Sequence, residues 1–330
     1  MIKIKYLLLI IICVLSLSAF KENTKITIFM IGDSTMANKD IRGGKMERGW
    51  GMMLQNFFTE DIIIDNHALN GRSSKSFITE GHWQKVIDKI KPGDYVFIQF
   101  GHNDEKDDPE RHTDPGTTFD DNLRKFVKEA RMKGGIPVLF NSVVRRIFTN
   151  SKTAVADDDI RSNSSVGLAE GDTLVDTHGD YLLSPRNVAR ELKVPFVDAN
   201  KITHDLEQSL GPDKSKKLHM WYLPKETPSL PKGRQDNTHY NVYGAYIVAG
   251  LLADAVSDAV PELQQYRCKY DVSVAKDGSG MYFDLQKAVD DIQPGVQTTI
   301  LVCDGKWKKP IVDKDKEIKF VRRSGAVWIK

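Results

Sequence analysis

Four short polar blocks in this 330-residue chain carry side chains that could do chemistry together. Gly32-Asp33-Ser34-Thr35 offers a hydroxyl, Asn70-Gly71-Arg72-Ser73 a glycine amide, and Gly101-His102-Asn103-Asp104 a carboxamide. Asp236-Asn237-Thr238-His239 adds an acid placed three residues before an imidazole. Serine is a weak nucleophile until a base takes its proton, and histidine suits that task near neutral pH. Asp236 would fix the tautomer of His239 and stabilise the imidazolium that forms. The amides of Ser34 and Gly71, with the side-chain amide of Asn103, are candidate donors to a tetrahedral oxyanion. The chemistry these groups fit is acyl transfer. Taken singly, each block also fits a structural role, as a turn, a helix cap or a glycine with positive φ. The argument therefore rests on what places them side by side.

Short runs rich in β-branched and aromatic residues recur at Ile26–Ile31, Ile62–Ile64, Tyr95–Phe100, Val138–Phe140 and Phe196–Val197. Buried parallel strands read this way because both of their faces are covered. Between them, helical patterns run over Trp50–Thr59, Trp83–Ile90, Phe119–Lys133, Asn187–Leu192 and Tyr243–Ser257. The alternation predicts an α/β sandwich on a parallel sheet with right-handed connections. Ligands in such sheets bind beyond the carboxyl ends of the strands. The first three blocks follow predicted strands directly, and the fourth precedes the last helix. Each would supply one part to a common rim. The polar stretch from Asn150 to Asp180 is too long for a turn and reads either as a binding loop or as a mobile insertion.

At the N-terminus Lys3 and Lys5 precede an apolar run from Tyr6 to Leu15, followed by the small residues Ser16, Ser18 and Ala19. This is the pattern of a signal peptide over residues 1–19, and it implies a periplasmic or secreted protein. The run is shorter than the about 20 apolar residues of a membrane span, so no stable membrane insertion is expected after cleavage. The formal charge is +2, and losing Lys3 and Lys5 brings the chain near neutrality. That leaves no electrostatic case for nucleic acid. Cys268 and Cys303 are too few for a disulfide framework and have no zinc-like spacing, although they either pair or stay as buried thiols. His102 and His219 have no second ligand at useful spacing, so no metal is expected. Arg72, Arg145 and Arg146 are candidates to bind substrate carboxylates, with surface salt bridges the alternative. Trp50, Trp83, Trp221 and Tyr222 fit either sugar stacking or the core.

The four blocks resemble those of the SGNH (GDSL-like) hydrolases, whose serine, glycine, asparagine and histidine correspond to Ser34, Gly71, Asn103 and His239. Asp236 stands where that family has its acid. The resemblance runs from about Ile26 to Val260 and is nearest to the rhamnogalacturonan acetylesterases, through Gly32–Ala37, Asn70–Phe77, Gln99–Asp104, Val143–Arg146 and Asp236–Ala245. It implies a flavodoxin-like three-layer sandwich over residues 24–262 that deacetylates a pectic polysaccharide or oligosaccharide. It also implies that no metal or organic cofactor is needed. Acetylxylan, a lipid ester, or silent pectin binding are the alternatives. The oligomeric state is not legible.

After Pro261 the pattern changes to short β-runs at Val272–Ala275, Thr299–Val302 and Glu317–Val321, with one helical stretch at Asp284–Asp291. Ala275-Lys276-Asp277-Gly278-Ser279-Gly280, with Phe283, Gln286 and Ala288, is similar to the opening of pectin methylesterases. That resemblance implies the first rungs of a parallel β-helix over residues 271–330. The segment is expected to be separable from the first domain.

Overall fold

The computed structural model describes residues 25–149 and 171–330. The signal-peptide segment, and residues 150–170 of the expected loop Asn150–Asp180, lie outside the described residues. Strands β1 (Ile26–Gly32), β2 (Ile62–Asn66), β3 (Tyr95–Gln99) and β4 (Ile136–Phe140) appear where the apolar runs predict them. A two-residue ribbon pairs β5 (Phe148–Thr149) with β6 (Thr173–Leu174), and β7 (Phe196–Val197) completes the main sheet. Every pairing in that sheet is parallel, in the order β2-β1-β3-β4-β7.

Period-two alternation divides the strands between two cores. Ile28, Met30, Phe97, Val138 and Phe140 face one side, and Phe29, Ile31, Val96, Ile98 and Leu139 face the other. Full burial stabilises each such side chain by about 1.5–3 kcal/mol, which fixes the register. Helix Thr118–Met132 covers the second face with Phe119, Leu123, Phe126, Val127 and Ala130, a single stripe at helical spacing. Helix Val242–Ala259 covers the first, capped by Asn241, whose side chain accepts the Gly244 amide at 2.9 Å. A Cβ on Gly244 would lie 1.9 Å from the Leu218 carbonyl oxygen, so only glycine lets this helix start so close.

The chain also contains two helical segments that its patterns do not announce, Ser74–Thr79 and Ala199–Lys214. A second departure is the antiparallel pair β8 (His219–Tyr222) and β9 (Arg234–Tyr240), which stands apart from the main sheet. Asp236 and His239 therefore sit on a hairpin strand, not on a loop beyond the last parallel strand.

In the C-terminal part, β10 (Val272–Val274), β11 (Thr298–Val302), β12 (Gly305–Lys308), β13 (Ile318–Arg322) and β14 (Ala326–Ile329) form two parallel ladders, β10-β11-β13 and β12-β14. Val274, Leu285, Val289, Ile300, Val302 and Trp307 make a small core of their own. The segment is nonetheless tied to the first domain. Buried Arg48 donates from Nε to the Gly278 carbonyl at 3.0 Å, and Arg323 Nη2 donates to the carbonyls of Gln55 and Phe58, each at 2.7 Å. Cys268 and Cys303 are both free thiols, and burial pushes Cys303 up to about 12.

Candidate active site

The turn after β1 is wound around the buried carboxylate of Asp33, which accepts from the Thr35 amide at 2.9 Å and its hydroxyl at 2.8 Å. Gly32 is required by close approach, since a Cβ there would meet the Gln99 carbonyl at 2.6 Å. Gln99 fastens the turn from the end of β3, donating to the Thr35 hydroxyl at 3.1 Å and accepting from Trp50 Nε1 at 2.7 Å. Trp50 is thus core and scaffold, with no face left for a sugar. Trp83 is core as well, while Trp221 donates to Asn237 Oδ1 at 2.6 Å.

Ser34 projects from this turn toward the hairpin. His239 Nε2 lies 2.9 Å from Ser34 Oγ, and His239 Nδ1 lies 2.9 Å from Asp236 Oδ2. Burial alone would raise the Asp236 carboxyl, but the hydrogen bond from His239 and the charges of His239 and Arg234 hold it well below the usual carboxylate range. An ionised carboxylate only accepts, so Nδ1 is the donor, and the neutral ring must take the Ser34 hydroxyl proton at Nε2. The other carboxylate oxygen accepts the amides of Thr238 at 2.8 Å and His239 at 2.9 Å, fixing the acid to its own strand. The arrangement can draw a proton from Ser34 and pass it on.

The glycine and asparagine blocks converge beside it. Gly71 has φ +73°, and Asn103 Nδ2 donates to the Arg72 carbonyl at 3.2 Å, which ties the two loops together. Neither the Ser34 nor the Gly71 amide makes a backbone hydrogen bond among the described residues. Asp104 secures the glycine loop, accepting from the Ser74 amide at 3.0 Å, the Ser74 hydroxyl at 2.5 Å and the Thr113 hydroxyl at 3.0 Å. Complete burial nevertheless pushes its carboxyl up to about 7, against the pull of those donors.

Two of the three expected substrate arginines are elsewhere. Arg145 is 2% exposed and ion-paired with Glu105, and Arg146 is 4% exposed, bound to Ser215, Asn237 and the Pro212 carbonyl. Both guanidinium groups are buried inside the protein and not displayed on its surface. Arg72 is the exception, half-exposed beside Gly71 and paired with Glu80 at 2.8 Å.

Behind Asn103, the side chains of His102, Glu105 and His178 come within ligand distance of one another, a grouping that their separation in sequence conceals. The donor set does not suit a dication, because the Arg145 guanidinium already occupies one Glu105 oxygen and His178 Nδ1 lies 2.9 Å from the other. Burial lowers His102 well below the usual imidazole range, leaving a neutral ring. His219, the second histidine without a metal-like spacing, lies 2.8 Å from buried Glu207. Burial would raise Glu105, yet the charges of His178 and Arg145 outweigh it and hold the carboxyl at about 2. A carboxyl held low in the folded state stabilises above its unfolded value and loses that contribution as pH falls. Glu105→Gln should therefore cost about 3 kcal/mol or more at neutral pH. The gap in thermal midpoint from the parent should close as pH drops from 4.5 toward about 2.

Comparison with known proteins gives this geometry a context. Residues 30–221 match the GDSL-like Lipase/Acylhydrolase family. The rhamnogalacturonan acetylesterase RhgT of Bacillus subtilis (strain 168) is 36% identical over 233 residues, covering 71% of this chain and 90% of that protein. The rhamnogalacturonan acetylesterase of Emericella nidulans is 26% identical over 74% of this chain and 90% of its own length. Among solved structures, protein YxiM of Bacillus subtilis superposes with a TM-score of 0.55 at 25% identity, over 71% of this chain and 57% of that one.

Proposed function

This chain belongs to the GDSL-like lipase/acylhydrolase family and is a serine ester hydrolase acting on carbohydrate; from that premise we propose that it removes acetyl groups from pectic rhamnogalacturonan, with Ser34 as nucleophile. The observation that carries the mechanism is the unbroken chain of hydrogen bonds from Ser34 through His239 to Asp236. The substrate is inferred from the two acetylesterases similar over most of this chain.

In this reading Ser34 Oγ attacks the acetyl carbonyl carbon as its proton moves to His239 Nε2. The carbonyl oxygen becomes an oxyanion facing the amides of Ser34 and Gly71 and the carboxamide of Asn103. Collapse breaks the ester bond to the sugar oxygen, and the imidazolium returns its proton to that oxygen. Water then attacks the acetyl-serine with His239 again as base. The bond from Ser34 Oγ to the acyl carbon breaks, the imidazolium returns the proton to Oγ, and acetate leaves. Half-exposed Arg72, next to Gly71, is the arginine still placed to meet a galacturonate carboxylate.

Removing one oxyanion donor typically costs roughly 10²–10³-fold in turnover. Asn103→Ala should show that loss in kcat with little change in KM, because the donor meets charge that exists only in the transition state. A change confined to KM would make Asn103 a substrate-positioning residue instead.

Secretion through the N-terminal leader, and a β-helix-like role for the parallel ladders of residues 271–330, belong to the same proposal. Acetate release from acetylated rhamnogalacturonan, xylan and homogalacturonan, measured in parallel, tests the substrate. Preference for xylan, or for octanoyl over acetyl nitrophenyl esters, would replace pectin with another ester.

A further inference from the structure

Asp236 has a partner besides His239 that the triad does not require. Arg234 Nη2 donates to the same oxygen, Oδ2, at 2.5 Å, and the other arm of the guanidinium, Nη1, donates to Glu47 at 2.6 Å. Glu47 in turn is paired with Lys39 at 2.7 Å, and Lys39 reaches Asn70 Oδ1 at 2.6 Å beside the glycine loop. The fork thus places a positive charge 3.5 Å from His239 Nδ1, the nitrogen next to which positive charge must develop. A like charge at that distance opposes the imidazolium, whereas a carboxylate just beyond it offsets the opposition.

We infer that Glu47 and Arg234 form a charge-balanced clamp on the triad, in which Arg234 orients Asp236 and Glu47 cancels the penalty that Arg234 places on protonated His239. The inference rests on the catalytic roles proposed for Ser34, His239 and Asp236. Glu47 and Arg234 act here through Asp236 and His239, so both are positioning residues. Glu47 is held for this role by its backbone, in a bridge to Asn241, and by Arg48, whose Nη1 donates to the Glu47 carbonyl at 2.7 Å. Burial would raise the Glu47 carboxyl, but the charges of His239, Lys39 and Arg234 hold it at about 2, so it is ionised across the working range. Among the described residues, the remaining charged or titratable groups near the imidazole are Lys39, buried Asp33 and His102, and burial keeps that last ring neutral.

The test is the pH dependence of kcat/KM on an activated acetate ester for Glu47→Gln, Arg234→Gln and Arg234→Lys. Losing the carboxylate leaves the guanidinium unbalanced, so Glu47→Gln should move the acid limb to lower pH by roughly 0.5–1 unit. Losing the guanidinium should move the limb by a similar amount to higher pH. Arg234→Lys keeps the charge but cannot fork between two carboxylates, so the limb should stay near its parent position while kcat falls about tenfold. A merely structural role would lower activity in all three without opposite displacements, and that result would overturn the clamp. His239→Ala run alongside separates the two levels. Retained activity in His239→Ala would sink the triad itself, whereas a dead His239→Ala with unmoved limbs in the other variants would sink only the clamp.

Discussion

Ser34→Ala is expected to fold as the parent does and to lose esterase turnover by about 10⁴-fold or more. The substitution removes one oxygen from a turn whose shape depends on Asp33, Gln99 and Gly32, all of which remain. Thermal unfolding should therefore change little. Without Oγ the imidazole has no proton to draw, and what survives is the smaller contribution of the oxyanion donors and binding. A variant keeping more than a tenth of parental activity would show that another group attacks the ester.

Asp236→Asn should cost nearly as much, about 10⁴-fold in turnover, with a much smaller effect on KM. An amide in place of the carboxylate can donate to Nδ1, which would place the ring proton on Nε2 and turn the base toward Ser34 the wrong way round. The same change takes the charged acceptor from Arg234 Nη2 and leaves the guanidinium held by Glu47 alone, so the cost should include some loss of order in the hairpin. Steady-state kinetics with an activated acetate ester measures both parameters. Near-parental kcat in Asp236→Asn would remove the acid from the mechanism.

The two halves of this site were not equally legible. β1 and β3 are buried on both faces, so they read as continuous apolar runs, and the polar residues that end those runs are the ones that matter. Ser34 and Asn103 could be placed from that alone. The strand that carries Asp236 and His239 has the sequence Arg-Gln-Asp-Asn-Thr-His-Tyr, poor in strand formers, and it is extended because His219–Tyr222 pairs with it. Such tertiary pairing leaves no local periodicity to find. Helix Ala199–Lys214 is hard to read for a related reason, since it buries few apolar residues and is kinked at Gly211-Pro212.

Charge is the least legible property. Arg145 and Arg146 look like surface cations, yet their charges are met inside the protein by Glu105 and by a cage of carbonyl, amide and hydroxyl acceptors. Conversely, Glu47 and Arg234 lie 187 residues apart, and no spacing rule joins them. A separable C-terminal segment was expected from the change of pattern after Pro261. Its contacts through Arg48 and Arg323 come from carbonyl acceptors, which every residue has and no sequence advertises.

The account turns on a covalent acetyl-serine at position 34. Rapid mixing with an activated acetate ester, acid quenching within the first turnover, and mass analysis of the intact protein and its peptides would observe it directly. One acetyl increment, confined to the peptide containing Ser34 and absent from Ser34→Ala, is the predicted result. An increment on any other residue, or product released in the first turnover with no acylated protein at all, would contradict it.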